Sequence, residues 1–393
     1  MRGLIWRTLK RLARDPGGSI DESLDNTPTE IDGQPAYVAG ILLSSFGEVQ
    51  AGEADQDVSQ RELAAALGTC QLEGSGINIA RQALRGDELL AVNYGLSLGP
   101  AWCGVGNHGV VHAIESVATA AETSQVVHHV LLPFAPKAFS ASYLGRSDRF
   151  DGAMDAALFG ASAQLSWSQI GNNDLLSQNV TFQNQTKCRV SVALAVQSPG
   201  ESPMAPLDVR INQHGIVQSS QDPYTVNLGR LSDIQLMQIL SHDIPSGPDS
   251  DPLDLQGHDE LGNYEVSVDG VTILEAREGR LLMPWERAVG ADPLPLADEP
   301  SSMMPLSSPV NRPLATTRMK GQRIVLSGWS QESEESRLVT YTHSEADAEV
   351  LEAWRQIRGY STSRPVVPAG AAGLPRREAV GVPAKFSQTD TAE

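Results

Sequence analysis

The chain has 393 residues, of which 40% are hydrophobic and 20% charged, so it can form the cores of two ordinary domains. Its formal net charge of −19 excludes general affinity for nucleic acid or anionic lipid unless its basic residues gather on one face. The cysteines Cys70, Cys103 and Cys188 form no CxxC pair, which argues against a zinc site and favours a reducing compartment. There is no apolar run of about 18 residues and no signal-peptide pattern, so neither a transmembrane helix nor secretion is expected.

Residues 1–34 are predicted to form a basic arm and a tether. The first 14 residues contain no acid, and their leucines and isoleucine recur at helical spacing, which favours a short basic amphipathic helix. Such a helix is suited to an anionic membrane surface, or alternatively packs as a frayed terminal helix on its own domain. The basic residues of the arm are Arg2, Arg7, Lys10, Arg11 and Arg14.

Residues 35–197 are predicted to form a first β-sandwich domain. Apolar or alternating runs bounded by turn residues are typical of strands. Two helices are predicted, one opening at Ser59 and one covering residues 110–124 after Gly109. The predicted strands are Tyr37–Phe46, Ile77–Ala80, Leu89–Tyr94, Val126–Phe134, Phe139–Leu144, Ala161–Trp167, Val180–Phe182 and Arg189–Val196.

Residues 198–207 are predicted to be a linker, since they hold three prolines and a glycine. Residues 208–360 follow as a second β-sandwich domain, with a hairpin at Asp269-Gly270 and a short helix at Glu345–Ile357. Residues 361–393 have the composition of a disordered tail. The predicted fold class is therefore mainly β with a few short helices, as two β-sandwich domains joined by a linker. The strands predicted in the second domain are Val209–Val217, Tyr224–Leu228, Tyr264–Val268, Val271–Ala276 and Gln322–Trp329.

The motifs of enzymes occur only in unsuitable contexts. Gly104–Gly109 matches GxGxxG, but Gly99-Pro100 interrupts the strand that a dinucleotide site needs just before it. Gly95–Gly99 matches GxSxG, but no helix begins directly after it, as a nucleophile elbow requires. Four histidines lack the HExxH spacing or a nearby cysteine that would support zinc binding: His108, His112, His128 and His129. We therefore expect no enzyme, and predict no catalytic residue, cofactor or metal.

A basic stretch with no acid occupies residues 311–323, within an otherwise acidic chain. It is interpreted either as a patch for an anionic surface such as phospholipid or ribonucleoprotein, or as a solvated loop and strand edge. Its basic residues are Arg312, Arg318, Lys320 and Arg323. No binding to a specific nucleic acid sequence is expected.

A spaced apolar pattern in residues 62–120 resembles the first domain of paramyxovirus matrix proteins. A leucine-rich strand, a tryptophan, a glycine and a helix follow one another in that family's order. The positions that carry the pattern are Leu96, Trp102, Val105, Gly109 and Val117. In the second domain, residues 224–231 are similar to the strand that opens the family's second sandwich.

The resemblance implies a non-enzymatic structural protein that dimerises and forms a lattice beneath a viral envelope. Its implied partners are copies of itself, anionic inner-leaflet lipid, the nucleocapsid and glycoprotein tails, in assembly and budding. The implied location is the inner face of the envelope, the host cytoplasm and the plasma membrane, with nuclear passage left open. The chain departs from the usually basic family in being acidic. Two alternatives stand beside it: a capsid or other virion shell protein, and an enzyme that binds nucleotide at the Gly104 turn.

Overall fold

We analysed a computed structural model of the chain. Most of the described residues lie in antiparallel β-strands, which confirms the mainly β fold class. The residues that the structure describes are 3–51, 68–74, 84–95, 111–113, 123–139, 145, 149–169, 180–217, 224–230, 234–241, 263–276, 303–307, 323–329 and 335–359.

The first half of the chain forms two facing sheets. Its strands, in chain order, are β1 (Leu4–Arg14), β2 (Ser19–Ser23), β3 (Glu30–Ile31), β4 (Gln34–Ala51), β5 (Thr69–Glu73), β6 (Leu84–Arg85), β7 (Val111–Ala113), β8 (Thr123–Pro133), β9 (Met154–Asp155), β10 (Gln164–Ser168), β11 (Val180–Phe182) and β12 (Thr186–Val196). The larger sheet has the order β1-β12-β4-β8-β7, and β3, β9 and β11 pair with the long strand β4. The smaller sheet has the order β2-β10-β5-β6.

The second half of the chain repeats this arrangement. Its strands are β13 (Leu207–Val217), β14 (Tyr224–Arg230), β15 (Ile234–Ser241), β16 (Asn263–Val268), β17 (Val271–Ala276), β18 (Met303–Ser307), β19 (Arg323–Trp329) and β20 (Glu335–Glu345). They form one sheet in the order β13-β20-β15-β18 and another in the order β14-β19-β16-β17. The hairpin expected at Asp269-Gly270 joins β16 and β17, and both turn residues have positive φ, as a type I′ turn requires.

Each half therefore has the strand order of a jelly roll. When the eight principal strands of a half are numbered along the chain, one sheet has the order 1-8-3-6 and the other 2-7-4-5. In the first half the eight are β1, β2, β4, β5, β6, β8, β10 and β12. This order is produced when a long antiparallel hairpin folds over on itself into two sheets. The chain is thus two successive jelly rolls with the same topology, which we call the first roll and the second roll.

Three α-helices and one 3-10 turn lie among the described residues: α1 (Gly86–Gly95), the turn Pro136–Phe139, α2 (Ala156–Ser162) and α3 (Ala348–Ile357). Helix α1 contacts β8 of the first roll and β15, β18 and β20 of the second roll, so it lies between them. The Asn93 amide accepts a hydrogen bond from the Leu131 N–H (2.8 Å) and donates one to the Leu131 carbonyl (2.5 Å). Leu131 lies past the residues of β8 that pair with β7, so Asn93 satisfies its backbone groups on that side.

The two rolls share one hydrophobic core. Val209, Ile211, Val339 and Tyr341 of the second roll belong to the same buried cluster as the sandwich interior of the first. Along β12, buried and exposed residues alternate over residues 186–190, whereas residues 190–196 are all buried. A strand covered on both faces becomes apolar throughout. The outer face of the larger sheet is therefore covered at one end and open at the other.

Three predictions of local structure are wrong. Residues 4–14 form strand β1, not a helix, because they pair with β12 from about 180 residues along the chain, and a bulge between Thr8 and Lys10 disturbs the alternation that marks a strand. Residues 89–94, predicted to be a strand, lie in helix α1. The buried side of this helix includes the polar residues Glu88 and Asn93, so the sequence lacks the apolar spacing that marks a helix. Residues 111–113 and 123–124 are strand, not parts of the helix predicted after Gly109. The predicted helix at residues 59–68 and strand at 77–80 lie almost wholly outside the described residues.

Candidate assembly surfaces

The junction between the rolls is secured by the C-terminal helix. Trp354 of α3 is buried, and its Nε1 donates a hydrogen bond to Asp155 Oδ2 (2.8 Å). Arg358 donates to the same carboxylate through Nε (2.7 Å) and Nη2 (2.5 Å). Asp155 also accepts the Ala157 N–H (2.9 Å) and so caps α2. One buried carboxylate of the first roll therefore holds both its own helix and the helix that follows the second roll.

A second polar contact crosses the junction at Tyr341 in β20. Its hydroxyl donates to the backbone carbonyls of Pro133 (2.7 Å) and Phe134 (3.1 Å), at the end of β8. His343 Nε2 lies 3.1 Å from that hydroxyl. Burial, together with the charge of Lys137, lowers the pKa of His343 to about 4, so the imidazole is neutral in the folded protein at neutral pH. The junction is thus apolar with a few satisfied polar groups, as in a fixed interface.

Arg14 does not belong to a membrane-binding arm, contrary to the prediction. It is 2% exposed, and its guanidinium lies 4.4 Å from the centre of the Trp167 ring, between the two sheets of the first roll. It donates hydrogen bonds to Gln169 Oε1 (3.1 Å) and to the Trp167 carbonyl (3.2 Å). Burial lowers its pKa to about 10, which still leaves it charged at neutral pH. Its position inside the sandwich removes it from any external surface.

The open end of the larger sheet carries a basic face, which we define as Arg11, Lys187, Arg189, Phe46 and His129. The register aligns Arg11 with Arg189, Arg189 with Ser44, and Ser44 with His129, so these side chains share the outward face across four strands. Lys187 lies opposite Phe46 in the next outward row. The three cationic residues are exposed. The basic face is therefore a positively charged surface in an acidic protein.

Contacts within the basic face orient its central side chains. The guanidinium of Arg189 lies 5.4 Å from the centre of the Phe46 ring, a cation–π contact. Phe46 in turn meets His129 edge to face at 5.9 Å, and His129 Nδ1 lies 2.9 Å from Ser44 Oγ. These contacts restrict the rotamers of Arg189 and Phe46, which lowers the entropy cost of a partner binding there.

The opposite outer surface of the first roll is polar and acidic. On the smaller sheet, Ile20, Cys70, Leu72, Leu165 and Trp167 point into the sandwich, so the alternate residues point outward. We call the outward residues of β2, β10 and β5 the acidic face: Ser19, Asp21, Ser23, Thr69, Gln71, Glu73, Gln164, Ser166 and Ser168. Arg85 of β6 pairs with Thr69 and places one cation at the edge of this face. A shallow depression there is lined by Asp21, Glu73 and their neighbours. At its rim, Glu22 pairs with Lys10 of β1 at 3.0 Å.

The remaining predicted surface residues are placed as follows. Arg7 and Arg11 are exposed on β1, Lys10 is half-buried in its pair with Glu22, and Arg323 begins β19 opposite Arg230. The structure does not bring Arg323 into contact with the β1 residues in any described pairing. Four predicted residues lie outside the described part of the chain: Arg2, Arg312, Arg318 and Lys320. Binding of these basic residues to an anionic surface stays a prediction.

Sequence reasoning missed Lys187, Arg189 and Phe46, which form most of the basic face. The signal was present in the alternation Thr186, Lys187, Cys188, Arg189, Val190, where every second residue is basic. An alternation of this kind predicts a half-exposed strand with cations on its outer side.

Three of the four histidines considered for zinc binding lie on two adjacent strands. His112 lies in β7 and His128 and His129 in β8, all as ladder residues of one sheet. Among the described residues no group of three His, Cys, Asp or Glu side chains could hold a metal ion. Residues 96–110, which contain His108, the GxGxxG motif and all but the first residue of the GxSxG motif, lie outside the described part of the chain. None of the helices that the structure describes combines the length and apolar character needed to cross a membrane.

Comparison with known proteins supports the topology. No protein-family model and no curated protein matches the sequence. The crystal structure of the STIV MCP, a major capsid protein, has a TM-score of 0.54 at 11% identity and matches 88% of this chain and 97% of that chain. An atomic structure of Sulfolobus Turreted Icosahedral Virus has a TM-score of 0.52 at 12% identity and matches 91% of this chain and 98% of that chain. At such identities the likeness concerns the fold.

The resemblance to paramyxovirus matrix proteins is therefore wrong. The chain has the double-jelly-roll fold, and the STIV MCP is a double-jelly-roll major capsid protein, not a matrix protein. Spaced apolar residues around a tryptophan and a glycine are common to many β-proteins, so they did not discriminate between families. The positions that carried the resemblance, Leu96, Trp102, Val105, Gly109 and Val117, all lie outside the described residues. The fold shared with the STIV MCP is the double jelly roll.

Proposed function

We propose that this protein is a structural, non-enzymatic subunit of a virion's protein shell, which assembles with copies of itself into a closed lattice. It is the capsid alternative that the sequence analysis gives beside the matrix hypothesis. The observation that carries it is the presence of two successive jelly rolls with the same strand order, joined through one core. The partners proposed are other copies of the chain, and the location is the shell of the virion.

A single jelly roll would not select this function, because lectin and cupin domains use the same architecture. The pairing of two rolls is more informative. The shared core and the buried Asp155–Arg358 pair fix the two sandwiches against each other. A block of this kind presents two similar sandwiches in a constant orientation, which suits the repeated contacts of a shell.

The fold-level likeness to the STIV MCP supports the same proposal, since the alignment runs over 97% of that chain and 88% of this one. The matched region therefore includes both rolls, not one shared sandwich. The surface fits a protein that associates through polar contacts: within the described residues, Val271 and Ile357 are the large hydrophobic side chains that stand exposed. Nothing favours a lipid, nucleocapsid or glycoprotein-tail partner.

The proposal is tested by the assembly state of the purified full-length chain. Light scattering and negative-stain electron microscopy, over a range of salt concentrations, are expected to show discrete oligomers and closed shells without added lipid. A protein that stays monomeric at every concentration and salt level would overturn the proposal.

A matched pair of variants ties assembly to the rigid junction. Asp155→Asn removes the charge that holds Arg358 but keeps the size of the side chain, and it is expected to reduce shell formation. Arg355→Ala removes a partly exposed ion pair with Glu352 on the same helix and is expected to assemble as the wild type does. Circular dichroism confirms that both variants are folded.

A further inference from the structure

We propose that the basic face of one copy binds the acidic face of the next copy, so that the first rolls associate front to back. This inference rests on the proposed function, because it names the contact through which copies of the chain meet. It concerns the outward faces of the two sheets of the first roll.

The three cations of the basic face are exposed. None of the described acidic residues forms an ion pair with Arg11, Lys187 or Arg189. The nearest acid along β4 on this side is Glu48, two residues beyond Phe46, and its carboxylate accepts a hydrogen bond from the Asn184 amide (2.7 Å). Within the described part of the chain, the charges of this face are therefore available to an external partner.

The acidic face offers the complementary chemistry. Asp21 and Glu73 point outward from β2 and β5, on either side of the polar strand β10. The Gln71 amide contacts the Glu73 carboxylate and holds it over the sheet. The hydroxyl and amide groups around these acids are suitable hydrogen-bond partners for guanidinium and ammonium groups. No apolar side chain belongs to this face, so a polar, charged partner fits it best.

The placement of the faces determines the kind of contact. They lie on opposite sides of one sandwich, whose sheets are about 10 Å apart. Two basic faces, or two acidic faces, would repel each other, so a symmetric face-to-face dimer is disfavoured. A front-to-back contact is heterologous, and it closes into a ring when the rotation between copies allows. Rings of such copies are suitable building units for a shell.

The charge of the protein favours a second copy of the chain, rather than a polyanion, as the partner of the basic face. The chain carries a net charge of −19, so nucleic acid or an anionic membrane would be repelled by most of the surface. The three cations of the basic face are few for a phosphate backbone, which is bound by larger clusters. In a growing assembly, neighbouring copies present the acidic face at a high local concentration, so many weak contacts together hold the copies in place.

The test uses two charge-reversed variants of the full chain. The basic-reversed variant carries Lys187→Glu and Arg189→Glu, and the acidic-reversed variant carries Asp21→Lys and Glu73→Lys. Each alone is expected to weaken self-association by about tenfold or more, because both of its faces then have the same sign. An equimolar mixture is expected to associate, since one variant supplies two acidic faces and the other two basic ones.

A third variant that carries all four substitutions controls for net charge, which equals that of the wild type. It is expected to regain self-association, because the two faces have exchanged signs. Arg7→Glu, at an exposed position of β1 outside the basic face, is expected to associate normally. Circular dichroism and thermal melting show that each variant is folded.

The outcomes separate this inference from the proposed function. A wild-type protein that never self-associates overturns both. A basic-reversed variant that assembles as the wild type does overturns only the inference, and so does a mixture that fails to associate. The inference is also overturned if the basic-reversed variant keeps assembly but loses binding of the wild type to duplex DNA or phosphatidylserine vesicles, because the basic face would then belong to a polyanion.

Discussion

Arg358 and Asp155, which are 203 residues apart, form a two-pronged ion pair that joins the end of the C-terminal helix to the first roll. The Asp155 side chain is fully buried and that of Arg358 is 9% exposed. Because Trp354 donates to the same carboxylate, this one group links the last described helix to the sandwich at the other end of the chain. The pair is a buried contact whose loss leaves an uncompensated charge.

Replacement of Asp155 by alanine is therefore expected to lower the free energy of unfolding by roughly 3–5 kcal/mol, the range for removal of one partner of a buried pair. Chemical denaturation followed by tryptophan fluorescence and circular dichroism measures the change. The control is Arg355→Ala, whose partly exposed pair with Glu352 is expected to be worth about 1 kcal/mol. Equal effects of the two substitutions would contradict the role assigned to Asp155.

His343 should make the stability of the protein depend on pH. Its pKa is lowered from 6.5 to about 4 in the folded state, mainly by burial. Between these values the unfolded chain binds more protons than the folded one, so the stability contribution of the neutral imidazole is complete above about pH 6.5. It is lost progressively as the pH falls toward about 4, to a total of about 3 kcal/mol.

The variant His343→Gln cannot take up this proton. Its free energy of unfolding is expected to vary less than that of the wild type between about pH 4 and 6.5, as measured by urea denaturation at each pH. Both proteins share all other titrating groups, so the difference between the two curves isolates His343. Parallel curves over this window would show that the imidazole is not held neutral by the junction.

Gly152 is expected to be intolerant of any side chain. Its φ is +92°, and an added Cβ would lie 2.3 Å from the Phe134 carbonyl oxygen and 2.7 Å from His343 Cε1. Gly200 has a similar φ of +83° but has nothing within 4 Å of the Cβ position. Gly152→Ala should therefore cost about 1–3 kcal/mol more than Gly200→Ala, because it adds overpacking to the same backbone strain.

Thermal unfolding of the two glycine variants measures this difference. Equal losses would mean that the backbone of the Gly152 turn shifts to accommodate a methyl group.

Arg14→Met is expected to lower the free energy of unfolding by roughly 1–3 kcal/mol, because Gln169 Oε1 and the Trp167 carbonyl lose a buried donor. The matched substitution is Arg11→Met on the same strand, where the side chain is exposed and the change should stay within about 0.5 kcal/mol. Urea denaturation of both variants provides the comparison. A smaller effect at Arg14 than at Arg11 would contradict the buried position.

The cysteines beside Arg14 should be unreactive in the folded protein. Burial raises the pKa of Cys70 to about 12 and also raises that of Cys188, so both thiols stay protonated and inaccessible near pH 8. Iodoacetamide labelling followed by peptide mass spectrometry is expected to modify them only after denaturant is added. Rapid labelling of Cys70 in the native protein would show that the sandwich opens at β5.

Much of the fold was predictable from sequence because it is encoded locally. Apolar runs identified the central strands near Tyr37–Phe46 and Val126–Phe134, and Asp269-Gly270 identified the hairpin. These patterns led to the expectation of a mainly β fold, which the structure confirms. These features depend on neighbouring residues, whose periodicity and turn preferences can be read from a short window.

The strand order and the surfaces were decided only by the tertiary structure. Strand β1 exists because it pairs with β12, far along the chain, and the repeat of strand order in the two rolls leaves no matching period in the sequence. Arg14 and Arg11 look alike in sequence, yet one lies between the sheets and the other outside them. Register assigns a residue to a face, and register depends on partners that are distant in sequence, so the basic and acidic faces emerge only when the sheets are assembled.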